Sequence, residues 1–350
     1  MYSVVRRTSV GPTSPVSSPA GTAPRTPILA ASVLFSVLLL AACAPTTTER
    51  KVVVAPYVYA GARIPDLTAV ADSTGIDRFV LSFLLADDGR CAPSWNGSRP
   101  VTDPALTAEV NRLRDRGGAV TVASGGAGGQ YLEATCDTPE QLAAAYGSAV
   151  TALRADSLDV DVEQHVSADL VADALRIVRD RHAVALVVTV PVRDAESGLT
   201  PASVHLLRAL RERELDVTVN AMVMNFPQRG EWSATIADAA ERVTDQIQRL
   251  WEYDDRADAY ARLGLTYMAG RNDTGAVTTL ADARALRELA TARSLAFLGF
   301  WSLNRDNGAC PGQATVSSRC SGLGQHPHAF TRSLMQGPRS DHHQAGGNES

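Results

Sequence analysis

Short apolar runs alternate with longer amphipathic segments over most of the chain. Eight runs have the composition of buried strands, and six segments carry apolar residues at the three-four spacing of a helix. Several of these segments begin with a Thr, Ser or Asp cap, such as Thr138-Pro139 and Thr200-Pro201. The predicted strands are 52–59, 79–86, 119–123, 158–162, 184–192, 217–224, 263–269 and 295–303, and the predicted helices are 104–116, 139–154, 168–180, 201–214, 235–253 and 280–293.

Strict alternation of strands and helices indicates a parallel sheet covered by helices. Eight units in about 280 residues favour a closed barrel over an open doubly wound sheet. No Gly-x-Gly-x-x-Gly motif follows the first strand to support a dinucleotide-binding fold. The predicted fold class is therefore α/β, a (β/α)8 TIM barrel that forms a single domain over residues 52–336.

The first 42 residues have the composition of an export signal. They contain three arginines and no acidic residue, and their apolar run over 28–42 is shorter than the ~20 residues of a membrane span. The run closes with Leu40-Ala41-Ala42-Cys43, which resembles a bacterial lipoprotein box. The resemblance implies a signal peptide over 1–42, a lipid on Cys43, a tether over 43–51 and a place on the outer face of the cytoplasmic membrane. An ordinary secretory signal, which gives a secreted protein, or an uncleaved anchor is the alternative.

Four cysteines remain in the exported chain, an even number that indicates two disulfides. They allow three pairings. The closeness of Cys310 and Cys320 in a loop rich in Gly, Pro and Ser favours a bond between them, which leaves Cys91 to pair with Cys136. No Cys-x-x-Cys spacing supports a metal site, so neither a metal nor a cofactor is predicted.

Composition and charge narrow the range of partners. The formal net charge is -5, Lys51 is the only lysine, and the arginines are scattered among acidic residues, so nucleic acid is not an expected partner. Residues 337–350 are rich in Gly, Ser, His and Gln and lack apolar periodicity, which predicts a disordered tail.

The most specific feature is the acidic run 156–163, Asp-Ser-Leu-Asp-Val-Asp-Val-Glu. On an extended strand Asp159, Asp161 and Glu163 share one face, while the apolar residues between them share the other. Mutual repulsion predicts that at least one proton is held above the usual carboxyl range. Glu163, the last of the three, is expected at the C-terminal mouth, where barrel active sites lie. A calcium site and a solvated edge strand are the alternatives.

This run resembles the Asp-x-x-Asp-x-Asp-x-Glu signature of family 18 glycoside hydrolases, the chitinase family, and all four acids match. Weaker similarities to the secreted bacterial chitinases extend over nearly the whole mature chain. They include Ala55-Pro56-Tyr57, Gly125-Gly126, Thr189-Val190-Pro191-Val192, Met222-Val223-Met224 and the segment that begins with Trp301.

The resemblance implies a retaining, substrate-assisted hydrolysis of β-1,4-linked N-acetylglucosamine polymers such as chitin. Glu163 is then the general acid and base, Asp161 orients the N-acetyl group, and Asp159 supports Asp161 by sharing a proton. Asp156 has the opposite parity and is expected to be structural.

The same resemblance implies a set of residues around the bound sugar. Trp301 forms the hydrophobic floor, and the other substrate-binding residues are Tyr57, Met222, Met224 and Asn225. For Trp301 and the two methionines, simple core packing is the alternative.

Two departures from the family pattern concern activity. Asn225-Phe226 stands where many members have an acid and a tyrosine, so the polar contact to the acetamide rests on Asn225 and a hydroxyl is lost at Phe226. Ala123 replaces a serine, which removes a buried hydroxyl.

Two other functions remain open. One is a non-catalytic lipoprotein that binds chitin or peptidoglycan, and the other is a peptidoglycan-remodelling N-acetylglucosaminidase. Trp95 and Trp232 are expected to be exposed aromatics that could serve any of these functions.

Overall fold

The computed structural model describes residues 51–61 and 64–335. The predicted signal peptide, Cys43 and the polar tail lie outside these residues, as does nearly all of the tether. Within the part that is described, no helix is both long enough and apolar enough to cross a membrane.

Eight parallel strands form the centre of the fold. The first strand, β1, is divided into two short segments by Ala55-Pro56, and the others are continuous. The strands are β1 (Val53–Val54 and Tyr57–Tyr59), β2 (Arg78–Asp87), β3 (Ala119–Gly125), β4 (Ser157–Asp161), β5 (Ala185–Asp194), β6 (Val217–Met222), β7 (Leu263–Met268) and β8 (Phe297–Trp301).

The pairing of these strands follows their order along the chain from β2 to β8. The first segment of β1 pairs with β8, where Val53 is opposite Phe297, and the second pairs with β2, where Tyr57 is opposite Val80. The divided strand therefore links the two ends of the sheet. This arrangement confirms the predicted α/β class and the (β/α)8 order.

Helices cover the outside of the sheet, and all six predicted helices are present. Over residues 51–61 and 64–335, four further helices of four to eight residues were not predicted, because they are too short to show a helical period. The helices are α1 (Leu67–Thr74), α2 (Pro104–Asp115), α3 (Leu132–Thr135), α4 (Pro139–Leu153), α5 (Ala168–Arg181), α6 (Pro201–Glu212), α7 (Trp232–Trp251), α8 (Arg256–Arg262), α9 (Leu280–Ala292) and α10 (Ala329–Met335), and a 3-10 turn spans Leu303–Arg305.

The described residues form two disulfides at the C-terminal side of the strands, and these are the pairs that the sequence favours. Cys91 lies in the hairpin strand Arg90–Trp95 after β2 and bonds to Cys136 at the end of α3. Cys310 bonds to Cys320 in the long loop after β8.

The expectation that two tryptophans are exposed is wrong. Trp95 is 0% and Trp232 2% exposed. Each indole N–H has an acceptor inside the protein, since Trp95 donates to the carbonyl of Val101 and Trp232 donates to the hydroxyl of Thr278. Burial is favourable once the indole N–H is satisfied, so neither ring is available to a ligand.

Candidate active site

The acidic residues lie on a central strand, because β4 pairs with β3 on one side and with β5 on the other. The edge-strand alternative is therefore wrong. Leu158 and Val160 pack in the main core beneath the helices, while Asp159 and Asp161 are buried on the opposite face. Glu163 lies two residues beyond the end of β4, at the C-terminal mouth.

Asp159 is held by two hydroxyl groups from the strands around it. Tyr57 Oη donates to Oδ2 at 2.7 Å, and Thr189 Oγ1 donates to Oδ1 at 2.7 Å. Asn220 in turn donates to the oxygens of Tyr57 and Thr189, at 3.0 and 2.9 Å. Burial raises the pKa of Asp159 to about 7, although both hydroxyl bonds favour the charged form.

This network compensates for the hydroxyl that is missing at Ala123. Ala123 lies directly opposite Asp159 in the pairing of β3 with β4, and it has no polar side chain to offer. Thr189 on β5, the strand on the other side, supplies the hydroxyl instead. The buried carboxylate therefore keeps two donors despite the alanine.

Asp161 is the least satisfied of the three acids. It is 3% exposed, and its Oδ1 has no hydrogen-bond partner among the residues that the structure describes. Burial raises its pKa well above the usual value, and the charges of Glu163 and Asp159 add to the effect. The predicted retention of a proton agrees with this direction, but its main cause is burial and not repulsion. Because both oxygens of Asp159 accept from hydroxyls here, a proton shared between the two aspartates stays a prediction.

The turn after β4 places Glu163 at the mouth. The backbone N–H of Glu163 donates to Tyr131 Oη at 3.0 Å, and this hydroxyl also bonds to the carbonyls of Gly126 and Asp161. Gly125 has φ +98°, and a Cβ there would lie 2.0 Å from the carbonyl oxygen of Asp161. Only glycine allows this close approach of β3 to the end of β4.

Glu163 is exposed as a residue and lines the pocket at the mouth of the barrel. Partial burial of its carboxyl group raises its pKa to about 7, and the negative charge of Asp273 contributes. A raised pKa favours the protonated form that a general acid requires.

A cavity of about 480 Å³ opens above these acids, within the size range of small-molecule sites. Seven of the nine predicted site residues line it. Asp159 lies beneath, in contact with Tyr57. Asp156 lies outside the cavity, where it binds Arg114 and accepts from the backbone N–H of Val120, and its structural role stays a prediction. The seven are Tyr57, Asp161, Glu163, Met222, Met224, Asn225 and Trp301.

Trp301 is the centre of an aromatic cluster in the cavity wall. Its ring stacks on Phe83, with centroids 5.4 Å apart and an interplanar angle of 17°. Tyr57 and Tyr59 pack against it at 6.3 Å. Phe83 also lines the cavity and was missed in the sequence, where it is one apolar residue among many on β2.

Asn225 lines the cavity while its side chain is paired with Asp273, and Phe226 lies outside the cavity. Asn225 Nδ2 donates to Asp273 Oδ2 at 2.7 Å, and the backbone N–H of Asp273 donates back to Asn225 Oδ1 at 2.8 Å. Phe226 is buried and packs on Trp232, with centroids 5.1 Å apart, and it does not line the cavity. The missing hydroxyl at Phe226 is therefore no loss to the site.

Four further residues that line the cavity lie after β7 and β8 and were missed, because loops carry no period that points to a site. These residues are Asp273, Arg305, Val316 and Ser318.

Among residues 51–61 and 64–335, no group of three or more His, Cys, Asp or Glu side chains is arranged to hold a metal ion.

A (β/α)8 barrel with buried acids, a glutamate of raised pKa at the mouth and an aromatic cluster in the cavity wall is typical of one class of protein, the barrel glycoside hydrolases. The comparisons with known proteins identify the family within that class.

No protein-family model matches the sequence. The chain is 30% identical over 303 residues to a probable bifunctional chitinase/lysozyme of Escherichia coli, covering 80% of this chain and 33% of that protein. It is 28% identical over 287 residues to Endochitinase 11 of Metarhizium anisopliae, covering 75% of this chain and 54% of that protein. The chain thus spans about a third to about half of the length of these relatives.

Among solved structures, the catalytic domain of a hyperthermophilic chitinase from Pyrococcus furiosus has a TM-score of 0.73 and 32% identity, over 80% of this chain and 93% of that one. A fungal endo-β-N-acetylglucosaminidase of glycosyl hydrolase family 18 shares the fold, with a TM-score of 0.55 and 15% identity. The chain belongs to glycoside hydrolase family 18. Because the relatives include bacterial, fungal and archaeal proteins, assignment to the secreted bacterial branch stays a prediction.

Proposed function

We propose that this chain hydrolyses β-1,4-linked N-acetylglucosamine polymers, namely chitin or chitooligosaccharides, with retention of anomeric configuration. The observation that carries the proposal is the position of Glu163. Glu163 lines the cavity together with buried Asp161, and the pKa of Glu163 is raised to about 7. A chitinase of Pyrococcus furiosus that shares this fold has been solved with chito-oligosaccharides.

In the proposed reaction, Glu163 protonates the glycosidic oxygen as the bond from that oxygen to the anomeric carbon breaks. The carbonyl oxygen of the substrate's own acetamide attacks the anomeric carbon and forms an oxazolinium ion. Water then attacks the same carbon and gives its proton to Glu163, which restores both the acetamide and the catalytic acid. The substrate supplies the nucleophile, so the protein needs no second reactive carboxylate at the anomeric carbon.

Asp161 is suited to orient the acetamide. Its buried Oδ1 has no partner in the described residues, so it can accept a hydrogen bond from the acetamide N–H as the ring forms. Burial favours the protonated form of Asp161 in the free protein, but positive charge that develops on the acetamide favours the ionised form, which then stabilises that charge in a water-poor site. Asp159 lies beneath Asp161 and accepts hydrogen bonds from Tyr57 and Thr189. Asn220 donates to Tyr57 and so supports this network.

The apolar part of the cavity is suited to a sugar face. Trp301, stacked on Phe83, offers a rigid ring as the floor, and Met222 and Met224 line the same cavity. Asn225 reaches the cavity as well, but its amide is already engaged with Asp273. We infer that Asn225 contacts substrate only as part of this pair.

Peptidoglycan is the second candidate substrate, because the Escherichia coli relative is described as a chitinase/lysozyme. Export of the chain is also a proposal. It is supported by the two disulfides, which persist in oxidising compartments. Attachment to the membrane through a lipid on Cys43 rests on the lipoprotein box alone.

One assay tests the proposed function directly. The purified protein is incubated with chitin hexasaccharide and, separately, with purified peptidoglycan, and the new reducing ends are followed by NMR. We expect products from the hexasaccharide with the β-anomer appearing first. An α-anomer appearing first would contradict the mechanism, turnover of peptidoglycan alone would favour the second candidate, and binding without turnover would favour the glycan-binding protein.

The pH dependence offers a second test, because Glu163 must be protonated to act. We expect kcat/KM to fall as the pH rises through about 7, where Glu163 loses its proton. The charge of Asp273 raises the pKa of Glu163, so Asp273→Asn is expected to lower that pKa and move the fall to lower pH. Asparagine keeps the shape of the side chain and can still bond to Asn225.

The matched control for Asp273→Asn is Asp254→Asn. Asp254 is exposed between α7 and α8 and does not line the cavity. Its substitution should leave the pH profile unchanged. Identical profiles for wild type and Asp273→Asn would show that Asp273 does not set the titration of the catalytic acid.

A further inference from the structure

The loop after β8 forms part of the cavity wall, and none of its residues has a role in the proposed reaction. We name residues 307–324, which contain the Cys310–Cys320 bond, the stapled loop. Val316 and Ser318 of this loop line the cavity. Val316 is half-buried and Ser318 is exposed, so both side chains are within reach of a bound ligand.

Arg305 holds the middle of the stapled loop. It is 1% exposed, and its guanidinium donates to three main-chain carbonyls: Ala269 at 2.9 Å, Arg271 at 2.6 Å and Ser317 at 2.7 Å. Ser317 lies between the two lining residues. The cation is thus a fixed link between the end of β7 and the part of the loop that faces the cavity.

Asp306, the next residue, holds the far end of the loop. Its carboxylate accepts from Gln325 Nε2 at 2.7 Å and from the backbone N–H groups of Phe330 and Thr331 at 2.9 and 2.8 Å. Asp306 is 1% exposed, so these bonds are shielded from water. Two adjacent buried side chains therefore hold the loop: Arg305 bonds to its middle, and Asp306 bonds to the segment that follows it.

The segment after β7 adds further contacts, again to the main chain of the loop. Arg271 Nε donates to the carbonyl of Gln313 at 3.0 Å, and the backbone N–H of Arg271 donates to the carbonyl of Ser321 at 2.9 Å. Together with the disulfide, these bonds define the path of the backbone without using the side chains of Val316 and Ser318. A wall built in this way is rigid, and its lining side chains are left to meet the ligand.

We propose that the stapled loop is a specificity-determining wall, in which Val316 and Ser318 contact the N-acetylglucosamine chain and Arg305 is the positioning residue. The proposal rests on the proposed function, since it takes the ligand to be that glycan. It assigns these residues a part in binding and none in bond cleavage. Changes to the loop should therefore act on KM and on affinity, and leave kcat largely unchanged.

The test compares two tryptophan substitutions in the same loop. Ser318→Trp places a large ring in the cavity, whereas Ala314→Trp places it at an exposed position that does not line the cavity. Binding of chitin hexasaccharide is measured by calorimetry in the Glu163→Gln background, so that no turnover occurs. We expect Ser318→Trp to weaken binding about tenfold, and Ala314→Trp to change it less than about twofold.

A second variant tests the positioning of the wall. The double variant Cys310→Ser/Cys320→Ser removes the disulfide of the stapled loop in the otherwise wild-type protein. It should raise KM while kcat stays within about twofold of wild type. Equal affinities for Ser318→Trp, Ala314→Trp and the parent would overturn the proposal, as would a loss of kcat without a change in KM in the double variant. The failure of the proposed function is a separate result: the wild-type protein would then form no product. Calorimetry would still measure whether the loop residues affect binding of the oligosaccharide. If the parent binds no oligosaccharide, both proposals fall.

Discussion

Glu163→Gln is expected to lower kcat on chitin oligosaccharides by at least about 10²–10⁴-fold, because a positioned general acid contributes that much to bond cleavage. Glutamine fills the same space at the mouth of the cavity but cannot release a proton to the leaving oxygen. Binding of the oligosaccharide should persist, since the cavity walls are unchanged. The measurements are initial rates of product formation and, separately, calorimetric affinity.

The control for this substitution is Glu140→Gln, an exposed glutamate in the first turn of α4 that does not line the cavity. Its kcat should equal that of wild type. Wild-type rates in Glu163→Gln would remove Glu163 from the mechanism and with it the main support for hydrolysis.

Asp161→Asn should have the next largest effect, a fall in kcat of about 10²–10³-fold, which is typical when a group that stabilises developing charge is lost. The asparagine keeps the size of the side chain but removes a carboxyl group whose proton is retained by burial and can be released as positive charge develops on the acetamide. Because the variant acts on the transition state, kcat and kcat/KM should fall together. Steady-state kinetics on the hexasaccharide measure both.

The same variant should be more stable than wild type above neutral pH. Burial raises the pKa of Asp161 in the folded protein, whereas in the unfolded chain it is near the ordinary value of about 3.9. The folded state therefore binds more protons, and stability falls as the pH rises from that value through the folded pKa. The substituted amide does not titrate, so thermal unfolding at pH 8 should occur at a higher temperature in the variant, with a smaller difference at pH 4.

Asp156→Asn is the matched control for Asp161→Asn, because Asp156 belongs to the same acidic run but lies outside the cavity. We expect unchanged kcat and a small loss of stability from its partly exposed ion pair with Arg114. Similar kinetic losses in the two variants would mean that the acids act through the fold of β4 and not through contact with substrate.

Most of the barrel could be predicted from the sequence, because strand and helix periods are local properties. The run 217–224, for example, overlaps β6, and the segment 139–154 matches α4 with its Thr138 cap. The helices that were missed, such as Arg256–Arg262, have too few turns to show a period.

For the candidate site, the sequence by itself determined the acids and their order on one face. Asp159 and Asp161 are two residues apart on β4, and a strand places such residues on one face whatever surrounds it. Glu163 lies two residues beyond the strand, so the turn after β4 brings it to the same cavity. The position of Glu163 at the mouth follows from its place after the last strand residue, Asp161.

Only the tertiary structure decided which groups surround those acids. Tyr57 and Asp159 are 102 residues apart, and Thr189 replaces a hydroxyl that the neighbouring strand lacks at Ala123. The pairing of Asn225 with Asp273 and the stapled loop held by Arg305 likewise join distant segments. Such contacts depend on how strands and loops meet around a ring, and because no local period encodes them, they become visible only when the barrel is assembled.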